Sequence, residues 1–264
     1  MLQLSRSSYY RWASGSISPR SRQEQALTQE VNQIFFSHRR RYGARRIADE
    51  LKDRGHTCNR KRVRKIMKKQ GLNAIQPKSF KPRSTESRHR LGYNENLLLN
   101  QTITGVGQAW VGDITYIPCR EIRFCYLAVL MDLHSRRIVG WNLDRDMREE
   151  LVLKALTDSI RDHQPAMGLC HHTDRGGQYA GKRYREVLTR ASMLQSMSRT
   201  NNCYDNAIME SCFGTIKNEL EMTEYKTVRQ ARNELMSYVQ YYNFKRKHSA
   251  LGYRSPAQFE ANQN

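Results

Sequence analysis

Eight consecutive apolar residues, Phe124 through Met131, run straight into Asp132. The run is far short of the roughly 20 residues that a bilayer crossing needs, and it lacks the three-and-four spacing of a one-sided helix. A short unbroken apolar segment reads as a strand buried on both faces, so this chain must lay structure on each side of it. Its neighbours fit that demand: "WVGDITYI" over 110–117 reads as a strand ended by Pro118, and 137–143 as a third. A helix over 148–163 turns Leu151, Val152, Ala155, Leu156, Ser159 and Ile160 inward. A short strand ending at Leu169, a helix over 182–191, a strand over 193–197 and further helices complete the series.

The order β-β-β-α-β-α-β predicts an α/β fold with a ribonuclease H-like core, a mixed five-stranded sheet flanked by helices. An all-α segment precedes it. A helix over 23–37 carries Ala26, Leu27, Val31, Ile34 and Phe35 as its stripe. Helices over 44–51 and 59–70, separated at Arg54-Gly55, bury Ile47, Ala48 and Leu51 and then Val63, Ile66 and Met67, the pattern of a helix-turn-helix. The expected domains are 1–72, basic and helical; 73–104, a linker marked by Pro77 and Pro82; and 105–264, the core with a C-terminal helical extension.

Charge separates these regions. Between Met1 and Arg90 stand 23 Lys and Arg against 6 Asp and Glu; from Leu91 onward 22 stand against 19. A solvated face mixes signs, so the first excess points to a polyanion, double-stranded DNA ahead of an anionic membrane. The 59–70 helix holds seven cations and no acid, and a helix lying between phosphates in a groove needs such a face. Arg60, Lys61, Arg64, Lys65 and Lys68 are its candidate DNA contacts; a basic helix packed on the larger domain is the alternative. The six cysteines form no C-x-x-C pair, and Cys170-His171-His172 has no partner at zinc-finger spacing, so free thiols and a strand end are expected. With no signal-peptide core and no membrane span, a soluble cytoplasmic protein is expected.

Acids at strand ends are the place to look for chemistry on such a partner, because phosphoryl transfer on DNA commonly uses two divalent ions held by carboxylates. Asp113, Asp132, Asp174 in "HHTDRGGQY" and Glu210 are the candidates. In this fold the first and fourth strands are neighbours, which brings Asp113 and Asp174 together. Asn206, Glu210, Phe213 and Lys217 share one helical stripe, with Ala207, Ile208, Ser211, Cys212 and Thr215 expected on the buried side. By themselves, a Glu and a Lys on a helix would read as solvated surface.

"WVGDITYI", "HTDRGGQY", "SMSRTNNCYDNAIMESCFGTIKNEL" and "YYNFKRKHSALGYRSPAQFE" resemble, in order and spacing, the OrfB transposases of the IS-three type of bacterial insertion sequences. The catalytic core of that group is similar to that of retroviral integrases. Thirty-five residues separate Asp174 from Glu210, the interval the group uses, and "RYGARRIADEL" with "RKRVRKIMKKQGL" extends the likeness to the helical module. The resemblance implies a catalytic, metal-binding triad of Asp113, Asp174 and Glu210, and places Lys217 as the basic residue that follows the Glu. Asn206 joins Lys217 as a DNA-binding candidate, Asp132 is left as a structural carboxylate or one that supports the metal ligands, and two Mg²⁺ or Mn²⁺ ions are the cofactors.

The sequence departs from the group where Asn201 replaces the usual glycine before "NCYDN", and the retroviral His/Cys zinc module is missing. The chain opens almost at "LSRSSYYRW", leaving no room for the first-frame OrfA product, which becomes a candidate partner beside self-association on DNA. The function so implied is a transposase that binds element ends and catalyses metal-dependent DNA strand cleavage and transfer. A catalytically silent helix-turn-helix regulator would need no triad. A ribonuclease acting on RNA–DNA hybrids would need neither the basic N-terminal third nor a lysine seven residues after the Glu.

Overall fold

The computed structural model describes residues 5–13, 15, 18–76, 92–99, 101–199, 207–221 and 224–263. They form two compact units, Met1–Ile75 and Gln76–Asn264.

In the first unit, α1 (Arg6–Ala13) precedes α2 (Pro19–Ser37), α3 (Ala44–Asp53) and α4 (Arg60–Lys69). α2 begins about a turn before the start expected at residue 23. The Ser18 hydroxyl accepts from the Ser21 N–H at 3.1 Å and Pro19 occupies the first turn, a start signal that outweighs the absence of apolar residues there. α2, α3 and α4 pack on one another, burying Leu27, Val31, Ile34 and Phe35 against Ile47, Leu51, Val63, Ile66 and Met67, while Ala26 stays exposed. The Asn59 side chain caps α4 by accepting from the Arg62 N–H at 2.9 Å.

The second unit is built on a sheet of order β3-β2-β1-β4-β5. β1 (Ala109–Cys119), β2 (Arg123–Asp132) and β3 (Ile138–Asp144) form an antiparallel meander, and β4 (Cys170–Thr173) and β5 (Leu194–Met197) run parallel to β1. α5 (Glu149–His163) packs on β3 and β2, and α6 (Gly177–Ala180) and α7 (Lys182–Arg190) lie between β4 and β5 in the chain; α8 (Ala207–Glu219), α9 (Val228–Phe244), a 3-10 turn (Ser249–Leu251) and α10 (Pro256–Ala261) follow.

The expected strand order holds, with three local differences. β4 starts just past Leu169, α6 had no apolar period to announce it, and β1 continues through Pro118. Pro118 is tolerated because its carbonyl accepts from the Tyr225 N–H at 3.1 Å, on the side away from β2, so its missing donor removes no bond of the β1–β2 ladder.

Both faces of the sheet are covered, as the apolar run of β2 requires. Val111, Ile117, Leu127, Val129 and Met131 pack with α8 and α9; Trp110, Ala128 and Leu130 pack with α5 and α7. Because side chains alternate across the pleat, Asp113 falls on the α8 face with Val111 and Ile117. Neither edge is bare. Residues 92–99, within the stretch expected as a linker, lie along β5: the Leu97 N–H donates to Ser196 Oγ at 2.9 Å and the Met197 N–H to the Glu95 carbonyl at 3.2 Å. At β3 the Asn243 amide mimics a strand, accepting from the Ile138 N–H and donating to its carbonyl, both at 2.9 Å. Among the described residues no helix is long and apolar enough to cross a membrane.

Candidate active site

The β1–β4 ladder ends at the pair Gly112 and Thr173. Asp113 and Asp174 are the next residue on each strand, so two acids stand side by side where the parallel strands part. That crevice, beyond the carboxyl end of a strand, is where α/β sheets place ligands. Asp113 is half-buried, and its Oδ1 accepts from the Ile114 N–H at 2.7 Å. Asp174 is fixed by the turn that follows, its Oδ1 accepting from the Gly176 N–H at 2.9 Å.

The third carboxylate comes from α8. Glu210 is exposed, in the first turn of the helix, and Lys217 lies half-buried two turns on. Burial pushes the Asp113 carboxyl well above the usual carboxylate range; the charges of Asp174 and then Glu210 push it further, while that of Lys217 opposes them. The charges of Asp174, Glu210 and Lys217 therefore all reach Asp113. Burial pushes the Lys217 ammonium down to about 8 against the opposing pull of Asp113, and its Nζ sits 4.4 Å from the centroid of the Tyr116 ring. Tyr179, 2% exposed, closes the crevice: burial, then the Asp113 and Asp174 charges, hold its phenol above its ordinary range.

α8 is turned differently from the sequence expectation. Its buried stripe is Met209, Cys212, Phe213, Ile216 and Glu219, whereas Ala207 and Ser211 are exposed. Phe213, expected on the polar stripe, is core because the i, i+3, i+4, i+7 set that begins at Met209 is more apolar than the one that begins at Ile208. Glu210 and Lys217 keep a common flank despite the rotation, and Asn206 lies outside the described residues.

Asp132 takes no part. It is 1% exposed and accepts from the Gly107, His134 and Ser135 N–H groups at 2.8, 3.0 and 2.8 Å, which makes it the clasp of the turn after β2. The tempting Cys170-His171-His172 run is β4 itself. His171 Nε2 meets Tyr184 Oη at 2.7 Å and His172 Nδ1 meets Ser196 Oγ at 2.8 Å, bonds internal to the core.

A hard-oxygen donor set suits Mg²⁺ or Mn²⁺, and an acid whose ionisation is disfavoured by burial and by two neighbouring acids is what a divalent cation relieves. Among the described residues, no group of three or more His, Cys, Asp or Glu side chains is arranged to hold a metal as it stands. In the first unit, Arg60, Lys61, Arg64, Lys65 and Lys68 all stand on the exposed face of α4. Arg62 does not, since its guanidinium binds Glu24 of α2 at 2.8 Å.

Family models agree with both units. One described as an integrase core domain matches residues 104–203, another of that description matches 192–256, and an HTH-like domain matches 22–80. The insertion element IS600 31 kDa protein of Shigella sonnei is 38% identical over 97% of this chain and 94% of its own length. The transposase for insertion sequence IS3A of Escherichia coli K12 is 37% identical over 98% of this chain and 91% of its own. The chain belongs to the IS3-type transposases. For fold alone, a chain in the cryo-EM structure of the simian T-cell lymphotropic virus intasome in complex with PP2A regulatory subunit B56 gamma aligns with a TM-score of 0.51. That alignment has 16% identity and covers 88% of this chain and 74% of that one.

In this IS3-type transposase the sequence reading missed the anchor of α8. Glu219, the last residue of that helix, is 9% exposed and accepts from Arg246, 5% exposed, through Nε at 2.9 and 3.0 Å and through a terminal nitrogen at 2.8 Å. Tyr238 Oη adds a bond to Glu219 at 3.0 Å, and the guanidinium also contacts the His248 ring at 3.2 Å. Removing one partner of such a buried pair strands the other charge, so the pair fixes how the transposase presents α8. A signal existed: Glu219 continues the apolar stripe three residues after Ile216, and a charge on a buried stripe implies a buried partner.

Proposed function

We propose that Asp113, Asp174 and Glu210 form the catalytic centre of a DNA transposase that cuts and joins DNA phosphodiesters at element ends. The observation that carries this reading is the β1–β4 register, which sets Asp113 beside Asp174 just past the pair Gly112 and Thr173, with the Glu210 charge of α8 reaching the same carboxyl. The three carboxylates would hold two Mg²⁺ or Mn²⁺ ions, which when bound polarise phosphoryl oxygens and lower the pKa of a coordinated water.

The remaining work falls to the chain. Asp113 within β1 and Asp174 just past the end of the adjacent β4 fix one side of the scissile phosphate; Glu210, carried by α8, approaches from the other. Lys217, braced on Tyr116, supplies an ammonium to a phosphate oxygen. Arg60, Lys61, Arg64, Lys65 and Lys68 of α4 hold the duplex, with Asn206 a further DNA contact. In cleavage a water oxygen bonds to phosphorus as the bond to the 3′-oxygen breaks, and the departing oxygen takes a proton to become a 3′-hydroxyl. In joining, that hydroxyl oxygen bonds to a target phosphorus in line as the target's own 3′-oxygen leaves and takes the proton the hydroxyl gives up, with no covalent enzyme intermediate. Two ends joined to one target need two centres, so self-association on DNA is part of this reading.

The test is incubation of the full chain with its element's end DNA and Mg²⁺, scored on a denaturing gel. Nicked ends and joined products are expected. Binding without cleavage at any Mg²⁺ or Mn²⁺ concentration would instead support a silent regulator.

A further inference from the structure

The three helices that pack together in the first unit end in the same motif, and one of them breaks its rule. α3 closes with the Gly55 N–H on the Lys52 carbonyl at 3.0 Å and the His56 N–H on the Leu51 carbonyl at 2.8 Å. α4 closes likewise, the Gly71 N–H on Lys68 at 3.3 Å and the Leu72 N–H on Met67 at 2.9 Å. In both, the residue that must turn left-handed is glycine, at φ 81° and 65°. α2 makes the same pair of bonds, the Arg39 N–H on Phe36 at 2.9 Å and the Arg40 N–H on Phe35 at 3.0 Å, but its left-handed residue is Arg39 at φ 50°. Arg40, next in line, is left-handed as well, at φ 62°.

Side chains with a Cβ adopt this conformation only at a cost that glycine avoids, and such strain persists where another requirement holds it. Here the turn is held firmly: His38 stacks on the buried Tyr42 at 3.7 Å between ring centroids, and the Ile75 N–H donates to the Arg40 carbonyl at 3.0 Å. Both arginine side chains are exposed. Arg41, Arg45 and Arg46 follow, with no acid between Arg39 and Arg46. A cation near a helix C-terminus gains from the dipole, but that gain does not call for two arginines at adjacent left-handed positions.

We infer that Arg39 and Arg40 form a second DNA-backbone contact, separate from α4, in which a strained turn is kept so that two guanidinium groups meet phosphates. The inference rests on the DNA-binding reading of this unit. Arginine suits the task because its fork matches phosphate oxygens bidentately.

Glycine at these positions separates binding from folding, since it relieves the backbone rather than damaging it. The full-length Arg39→Gly/Arg40→Gly variant is expected to melt at or above the wild-type temperature. Its binding to the element's end duplex should nevertheless be weaker, with the slope of log K against log salt flatter by about two units, near one per phosphate. Arg39→Lys/Arg40→Lys keeps both charges and should keep most of the slope. An unchanged slope in the glycine variant, with a flattened slope in Lys61→Ala/Arg64→Ala/Lys65→Ala, overturns the second contact and leaves DNA binding by α4 standing. A lower melting temperature in the glycine variant with wild-type binding makes the arginines structural. If neither the glycine variant nor the α4 variant changes the slope, the DNA-binding reading of the whole unit fails with it.

Discussion

On α4 five candidate cations stand on an exposed face, attached to the fold through Val63, Ile66 and Met67 beneath them and through Arg62 on Glu24. In the crevice between β1 and β4 two acids are set by strand register and backbone hydrogen bonds, and a third is carried by a helix whose end is locked by a buried ion pair. The first arrangement gives charge without fixed geometry, as tracking a flexible phosphate backbone requires. The second gives geometry at the cost of crowding like charges, as transition-state stabilisation requires. Substitutions in the two units should therefore fail in different ways.

The largest difference is expected from the acids. Asp113→Asn, Asp174→Asn or Glu210→Gln should each lower cleavage and joining by about a thousandfold or more, because metal-based charge stabilisation is worth several kcal/mol, while end binding stays near wild type. A gel-shift run beside the cleavage gel reads both quantities. Near-normal cleavage by any one variant would remove that residue from the centre.

Next comes the anchor. Arg246→Met leaves Glu219 charged and buried beside Tyr238, and should destabilise the catalytic unit by about 3–5 kcal/mol in a denaturant titration. Replacing both partners with apolar residues should recover much of that loss. If Arg246→Met costs less than about 1 kcal/mol, the pair does not hold α8 and the rigid half of the comparison weakens.

A smaller and purely electrostatic effect belongs to α4. Lys61→Ala/Arg64→Ala/Lys65→Ala should leave the melting temperature within a few degrees of wild type, since exposed substitutions cost little, and should flatten the salt slope of binding by about three units. A large loss of stability with an unchanged slope would make α4 a packing helix.

The two units differ as much in legibility as in design. β2 and the order of the strands could be read because a doubly buried strand leaves an uninterrupted apolar run, and the α2 to α4 pattern because one-sided burial leaves a clear 3.6-residue period. Asp113 and Asp174 stood out as acids at strand ends. What could not be read came from tertiary contact. The rotation of α8 depends on whether Met209 or Ile208 leads its stripe, two helical readings of the same residues. Tyr116 beneath Lys217, Arg62 on Glu24 and Arg246 on Glu219 pair residues 101, 38 and 27 positions apart, where no local period reaches. Cys170-His171-His172 was legible as part of a strand, because it has no partner run at zinc-finger spacing, and the bonds of His171 to Tyr184 of α7 and of His172 to Ser196 of β5 fit that reading.

The smallest expected effect sits between the two modes, at Lys217, a cation held in the rigid unit. Its folded pKa of about 8 is below the ordinary lysine value of 10.5, so charging it costs the fold. That contribution to stability is full above the ordinary value and is lost as the pH falls through about 8. A phosphate beside it reverses the preference, so binding end DNA near pH 9 should take up about one proton, measurable by calorimetry in buffers of different ionisation enthalpy. Lys217→Met should take up less. Equal uptake by both proteins would place Lys217 away from the DNA.

The division of labour between the units is tested most directly by strand joining on pre-cleaved end DNA, with Glu210→Gln and the α4 triple variant run side by side over rising DNA and Mg²⁺ concentrations. The α4 variant is expected to recover wild-type joining once DNA saturates it, and Glu210→Gln to remain inactive at every concentration of either. Recovery of Glu210→Gln at high Mg²⁺, or an α4 variant that stays inactive when fully bound to DNA, would contradict it.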